Sequence, residues 1–327
     1  RIFYNSAGFL KDKRARLLRL LSWPFSFWMS NDVFTKLESW FVKVPGSFVD
    51  YCRIYNPALI ITATPGIQLF EAEVILFAKK LGIPTLATNF SWDNLMSFKS
   101  VRLRKTDYLF VWNQIIKEVA INIHGYDHNR VFVTGSARFD QHFTKKTGLL
   151  PRGEFLRSKS LDPQFKTILF ATASKNFSFN LVMLNDILEF RSRNIIPYVN
   201  LLIRLHPIDE FDTYKDFAGL PHVHLERAGR EPAVALRGNN VEMDSSDFMN
   251  LKATLAYTDL NINFKSTISL ESFLFGKPVI NFIDPTHPLL NQIYFDENSY
   301  YRPIVREGAV RISDSKEKLA ELINQYL

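Results

Sequence analysis

Two stretches of the chain couple an apolar run to residues able to handle an anion. In Leu202-Ile203-Arg204-Leu205-His206-Pro207 an apolar strand delivers Arg204 and then His206. Pro207, which has no N–H to give, stops the ladder immediately afterwards. An imidazole at a strand's carboxyl edge can donate to a phosphate or assist a leaving group; it can equally cap a loop carbonyl. In the second stretch a strand ends in Lys265-Ser266-Thr267 and a helix opens with Ile268-Ser269-Leu270-Glu271. Backbone N–H groups at that helix start, the hydroxyls of Ser266, Thr267 and Ser269, and the charge of Lys265 make a phosphate cradle. Glu271, one turn in, can accept two hydrogen bonds from a ribose diol. The plainer reading is N-capping by Ser266 or Thr267, with Glu271 favoured near the positive end of the helix.

A third stretch, Thr88-Asn89-Phe90-Ser91-Trp92-Asp93-Asn94, also follows a strand. Asp93, flanked by Trp92 and Asn94, is a candidate general base for an acceptor hydroxyl, and a sugar stacks readily on an indole such as Trp92. The alternative is an Asx-turn with Trp92 in the core. Thr64 and Gly66 end the preceding strand and Asn113 the next, which completes the acceptor-side set with Asn94. Arg138 can reach a phosphate or pair with Asp140.

The elements that must position these residues alternate between strand and helix. Short β-branched runs bounded by turn residues predict strands at 58–62, 85–88, 108–112 and 130–133, then at 167–171, 199–205, 222–225, 260–263 and 278–282. Helical spacing covers 68–81, ended by Gly82 and Pro84, and then 180–193, 248–257 and 268–275. The chain closes with a helix over 314–327, where Asp314 and Glu317 have capping-box spacing. This alternation implies right-handed crossovers and parallel sheets. Pro and Gly interrupt both periodicities between Thr144 and Lys166, so the expected domains are residues 1–148, on the acceptor side, and 149–327, holding the nucleotide donor. The fold class expected is α/β, with two Rossmann-like parallel-sheet domains facing across a cleft.

The His-Pro strand end and the later Ser-Thr turn, followed by Glu271 and Gly276-Lys277-Pro278-Val279, resemble the C-terminal half of GT-B-fold transferases. The likeness is to the CDP-glycerol glycerophosphotransferase group and related surface-polysaccharide glycosyltransferases. It implies that His206, Ser266 and Thr267 hold a donor phosphate or diphosphate and Glu271 the ribose. It also makes Ser174 and Lys175, in the turn after strand 167–171, candidates for approach to the donor, beside Arg138, Arg204, Lys265 and Ser269. His206 and Asp93 are the catalytic candidates. One departure stands out: many retaining members place a second glutamate eight positions before the ribose ligand, where this chain has Asn263. That mechanism is therefore not carried over. The implied activity moves a sugar, or glycerol phosphate, from a CMP, CDP or UDP-type donor to a cell-surface glycan or lipid-linked acceptor. No cofactor is expected, and with neither a Cys/His cluster nor an Asp-x-Asp signature no metal. A non-hydrolysing nucleotide-sugar epimerase is the same-fold rival, although that group usually has Ser-Gly-Gly where this chain has Lys265-Ser266-Thr267. A non-catalytic glycan-binding domain is the rival of a different class.

Composition narrows the field. With 327 residues, 46% apolar, and one cysteine, Cys52, the chain is neither disordered nor disulfide-stapled. A reducing, cytoplasmic setting is expected. Residues 1–150 hold 20 basic against 11 acidic side chains, whereas the rest holds 20 against 22. The excess gathers at Lys11, Lys13, Arg14, Arg16 and Arg19, ahead of Trp23, Phe25, Phe27 and Trp28. Two readings stand for residues 10–30: peripheral contact with the inner face of a membrane, or an amphipathic helix packed on its own domain. The longest uncharged run there, Leu20 to Asn31, is too short to span a bilayer. No helix-turn-helix, zinc-finger or RNP-like signature accompanies the charge, so nucleic acid is not an expected partner.

Overall fold

The computed structural model describes residues 44–67, 69–95, 104–143, 148–173, 179–207, 209–229, 243–283 and 301–327. The basic segment at 10–30 and the candidates Ser174 and Lys175 lie outside them. The chain divides into two compact units, Arg1–Ala137 and Arg138–Leu327, against an expected boundary at 148/149. Residues 138–143 belong with the second unit because their side chains and backbone are tied there: Arg138 to Glu271, and Gln141 O to the Lys252 ammonium at 2.9 Å.

The first unit carries helix α1 (Gly46–Tyr55), strand β1 (Ile60–Thr62), helix α2 (Leu69–Lys80), strands β2 (Thr85–Thr88) and β3 (Tyr108–Val111), helix α3 (Gln114–Asn122) and strand β4 (Val131–Val133). Its four strands are parallel and lie in chain order, β1-β2-β3-β4. Helix α2 buries Ile75, Leu76 and Ala78, and α3 buries Ile116 and Ala120. Helix α2 ends where Gly82, at φ +70°, turns the chain into β2.

The second unit begins with helices α4 (Asp140–Phe143) and α5 (Arg152–Ser158), strand β5 (Thr167–Ala171), helix α6 (Phe179–Ser192), and strands β6 (Asn200–Leu205) and β7 (Val223–Arg227). Helix α7 (Ser245–Tyr257), strand β8 (Leu260–Asn263), helix α8 (Ile268–Leu274) and strand β9 (Val279–Phe282) follow. Helix α9 (Arg302–Arg306), strand β10 (Arg311–Ser313) and helix α10 (Lys316–Tyr326) complete it. Every residue of β5, β6, β8 and β9 is buried, as befits parallel strands covered on both faces. Leu169, Ala171 and Leu202 pack with Phe155 and Leu156 of α5 and Leu251 and Leu255 of α7. On the other face Phe170 stacks on Phe282 at 5.7 Å between centroids, and Phe179 of α6 meets Phe282 edge-on at 5.2 Å. The strand order is β10-β9-β8-β5-β6-β7, all parallel. The chain runs outward from β5 to β7, then returns to the far side of β5 for β8. That reversal opens a crevice at the carboxyl ends of β5 and β8, where ligands settle in doubly wound sheets.

Three sequence expectations change. The 144–166 stretch contains α5, so it is not a simple linker. The last helix is capped by Ser315, whose hydroxyl accepts from Lys318 N at 3.2 Å, not by Asp314. The strand expected over 222–225 starts at Val223 and runs to Arg227: His222 precedes it in the left-handed region at φ +58°.

Candidate functional site

Register fixes the level of the rim in the second unit. Ala171 of β5 lies opposite both Arg204 of β6 and Asn263 of β8, so the three strands end together. His206, Thr172 and Lys265 therefore stand on neighbouring strand ends. The outer two are separated by two strand spacings, about 10 Å. The two segments singled out in the sequence do meet on one edge of one sheet.

His206 is half-buried, and its backbone N–H donates to Thr172 Oγ1 at 2.8 Å, which ties β6's end to β5's. Burial lowers its pKa from the ordinary imidazole value, and the Asp209 charge opposes that shift. Asp209, at 1% exposure, receives the Thr172 hydroxyl at 2.6 Å and the Tyr214 hydroxyl at 3.3 Å on Oδ2. Asn180 of α6 then clasps Ala173 through both its amide atoms, at 3.0 and 2.8 Å, and reaches Tyr214 at 3.2 Å.

The β8–α8 turn is organised by asparagines that sequence reasoning passed over. Asn263 Oδ1 accepts from Ser266 N at 2.9 Å, from the Ser269 hydroxyl at 3.1 Å and from Asn281 Nδ2 at 3.1 Å. Tyr301, fully buried, donates to Asn281 and places its ring 5.4 Å beneath the Lys265 ammonium. Lys265 holds φ +45°, the left-handed bend that closes the turn. This changes the expected cradle. The N–H groups of Ser266 and Ser269 are spent on Asn263 Oδ1 and Ser266 O, and the Ser269 hydroxyl points inward. The hydroxyls of Ser266 and Thr267, both half-buried, remain at the rim, and Thr267 N-caps α8 without a side-chain hydrogen bond. The signal for Asn263 was available: asparagines alternate at 261 and 263 in an otherwise apolar strand, and Asn281 lies beside Asn263 in register.

Glu271, 2% exposed, faces Arg138 and His142, each 3.5 Å from Oε1. The Arg138 side chain is 37% exposed, so it can leave the carboxylate, whereas His142 is sealed under Phe275. Arg138 thus pairs with Glu271 rather than with Asp140, and His142, which was not among the candidates, is a buried neighbour of the candidate ribose ligand.

Arg204 requires correction. Its register partner is Glu226 on β7, and its Nη1 donates to Glu226 Oε1 in the interior. Lys159 at 2.6 Å and Asn250 at 3.0 Å complete that carboxylate. Burial alone would raise the Glu226 pKa, but His224, Arg204 and Lys159 outweigh it and hold the group well below the usual carboxylate range. Arg204 is a structural ion-pair member and does not face the rim.

In the first unit, Trp92 is buried at 8% exposure, which removes its indole face from an acceptor; the exposed aromatic of that turn is Phe90. Asp93 is half-buried and receives the Ser91 hydroxyl at 2.7 Å, a local turn bond. Asn94 is buried, and its Nδ2 has no hydrogen-bond partner among the described residues. Asn113 is the N-cap of α3, accepting from Ile116 N at 2.9 Å, so its side chain is already used. The Thr64 hydroxyl donates to Glu71. Gly66, at φ +78°, lies so close to Arg104 that a Cβ would stand 3.1 Å from the Arg104 Cβ. These three positions shape the turn after β1 and the start of α3.

Among the described residues no group of three His, Cys, Asp or Glu side chains could hold a metal ion, and no helix is long and apolar enough to cross a membrane. A groove of about 450 Å³ near Lys159, His222 and His224 lies at the amino end of β7, the opposite edge from the rim.

No protein-family model matches the chain, and no curated protein matches its sequence. Solved structures do. The UDP-GlcNAc 2-epimerase from Neisseria meningitidis, bound to UDP-GlcNAc, superposes with a TM-score of 0.57 at 16% identity, over 91% of this chain and 74% of that one. The epimerase from Methanocaldococcus jannaschii, in complex with UDP-GlcNAc and UDP, gives 0.54 at 17% identity, over 86% and 72%. A variant of the wall teichoic acid polymerase TagF soaked with CDPG gives 0.51 at 15% identity, over 87% and 69%. Identities this low establish the fold: the chain is a GT-B-like α/β protein built of two parallel sheets with helices.

Proposed function

We propose that the chain is a transferase that moves a sugar, or glycerol phosphate, from a nucleotide-activated donor of CMP, CDP or UDP type to a cell-surface glycan or lipid-linked acceptor. The observation that carries this is the shared rim of β6, β5 and β8, where His206 and the Lys265–Thr267 turn stand on the strand ends either side of β5, at the sheet's reversal. A diphosphate fits the span of about 10 Å between those ends. In this reading Lys265 supplies charge, and the hydroxyls of Ser266 and Thr267 and the His206 imidazole donate to the departing phosphate. Glu271 takes the ribose once Arg138 swings away to the phosphates. Asp93 is the base on the acceptor hydroxyl, and Ser174 and Lys175 approach the donor. Residues 10–30 would bring the enzyme to the cytoplasmic membrane face where lipid-linked acceptors reside.

The epimerase reading has specific support in the superposition on two UDP-GlcNAc 2-epimerases. The Lys265-Ser266-Thr267 turn and the match to the teichoic acid polymerase favour transfer. Incubation with labelled UDP-GlcNAc and CDP-glycerol separates the readings. Label passing to a lipid-linked glycan, and lost in Asp93→Asn by about 10²-fold or more, supports the transferase. Isomerised UDP-GlcNAc without acceptor supports the epimerase. Binding of glycan with no turnover of either donor points to a non-catalytic domain.

A further inference from the structure

Asp209 has no role in the reading above, yet its setting is unusual. It follows His206 by three residues, in a turn closed by Asp209 N donating to His206 O at 2.8 Å. It is 1% exposed, and among the described residues its carboxylate is served only by neutral donors, the hydroxyls of Thr172 and Tyr214, both on Oδ2. Oδ1 is buried and has no hydrogen-bond partner among them. Arg227, the cation on the adjoining strand, spends Nη1 on the main-chain oxygen of Asp209 at 3.3 Å. A buried carboxylate is normally paired with a cation, because desolvation otherwise costs several kcal/mol. The Asp209 charge acts on the imidazole of His206, three residues before it.

We propose that Asp209 is a positioning residue for His206. Through Thr172 its carboxylate fixes the turn that presents the imidazole, and its charge serves as counter-ion when His206 takes a proton against a bound phosphate. This deepens the transferase reading and rests on it for the ligand class, a nucleoside diphosphate. The titratable and charged groups bonded to Asp209 are Tyr214, on the 3-10 stretch Phe211–Phe217, and Arg227 at the end of β7; Glu210, Asp212, Lys215 and Asp216 of the same segment are exposed to water, and Lys265 stands on the rim at the end of β8. Burial first, and then the Asp209 charge, push the Tyr214 hydroxyl up to about 12, so it stays a neutral donor. The Asp209 field acts on His206 in the direction of protonation, against burial. Binding of a phosphate should therefore draw a proton from solvent onto His206. Affinity is then greatest at low pH and falls as pH rises through the range between the ligand-free and ligand-bound imidazole pKa values.

The test follows His206 in ¹⁵N-histidine-labelled protein through a pH titration, its signal assigned by its loss in His206→Gln. Asp209→Asn keeps an oxygen for the Thr172 and Tyr214 hydroxyls but removes the charge. It should lower the His206 pKa by about half a unit or more and weaken CDP or UDP binding several-fold near pH 6, the deficit closing at high pH where the ring is neutral in both proteins. An unchanged His206 pKa in folded Asp209→Asn overturns the proposal. So does an affinity loss equal at all pH values, which would mark Asp209 as a brace alone. Should that variant not fold, calorimetry of CDP binding to the unaltered protein, in buffers of different ionisation enthalpy, reads the same claim. Proton uptake that disappears in His206→Gln supports it, and binding without uptake overturns it. If none of CMP, CDP and UDP binds, the transferase reading fails while the histidine titration still judges Asp209.

Discussion

Two carboxylates in the second unit, Glu226 and Asp209, are both buried and differ in how they are answered. Glu226 receives the guanidinium of Arg204, the ammonium of Lys159 and the amide of Asn250, so each oxygen has a partner. Asp209 has, among the described residues, two hydroxyls on one oxygen and no hydrogen-bond partner on the other. The first cluster sits between β6, β7 and the helices α5 and α7, and it locks strand to strand. The second stands at the strand ends, beside the crevice. A fully compensated network has no capacity left for a ligand, whereas an under-compensated one retains charge that something arriving can use. That contrast separates the structural polar residues of this sheet from the functional ones more cleanly than residue type does, since both clusters contain an acid with basic neighbours.

The sharpest way to break the contrast is Glu226→Gln. Removing the carboxylate leaves Arg204 and Lys159 as uncompensated cations in the interior, and the expected loss is about 3–5 kcal/mol of stability. Nucleotide affinity of the molecules that stay folded should not change. The acid limb of stability supplies a second reading. A carboxylate held below its usual 4.5 in the folded state adds stability in full above that value. The contribution drains away as pH falls below it, so the unaltered protein should lose stability on acidification more steeply than the variant. Chemical denaturation at pH 7 and pH 4 measures both. A loss of CDP affinity in folded Glu226→Gln would show that the two clusters are not independent.

His206→Ala reverses the pattern. Its side chain is half-buried at the rim, so unfolding should shift little, within about 1 kcal/mol. The loss of a charge-assisted donor should weaken CDP or UDP binding by ~1.5–3 kcal/mol, roughly 10- to 150-fold. Thermal unfolding with and without nucleotide reads both effects in one experiment: a lost ligand shift on an unmoved baseline is expected, and a cooperative loss of structure with unchanged affinity would make His206 structural.

Which side of this contrast a residue falls on was only partly legible in the chain. Strands β5 and β8 stand where their β-branched runs and flanking turns put them, because buried parallel strands carry their own signal. Arg204 was misread because its partner is set by register: only the pairing of β6 with β7 brings Arg204 opposite Glu226, 22 positions away. Asn113 failed for another reason. A polar residue that ends a strand and one that caps the following helix are the same residue type in the same place, and only the hydrogen bond to Ile116 N distinguishes them. His142 looked unremarkable until tertiary packing placed it 3.5 Å from Glu271. Asp209 was invisible for the same physical cause, since what marks it is a missing partner, and a sequence records no absences.

Tyr214→Phe is the finest probe of the contrast. It deletes the weaker of the two hydrogen bonds to Asp209 Oδ2, 3.3 Å against 2.6 Å from Thr172, and leaves ring packing intact. The same hydroxyl accepts from Asn180 Nδ2, whose other bond, to Ala173 O at 2.8 Å, survives. Loss of one neutral hydrogen bond should therefore cost only about 1 kcal/mol of stability. If Asp209 acts through its charge, His206 should feel the change in one direction. A carboxylate deprived of a donor is less well answered and leans harder on the imidazole, so the His206 pKa should rise slightly, opposite in sign to Asp209→Asn. If Asp209 is only a brace for the β5–β6 rim, both substitutions loosen the same turn and their effects on His206 should share a sign. The relative sign in the histidine titration, rather than either magnitude, decides between the two.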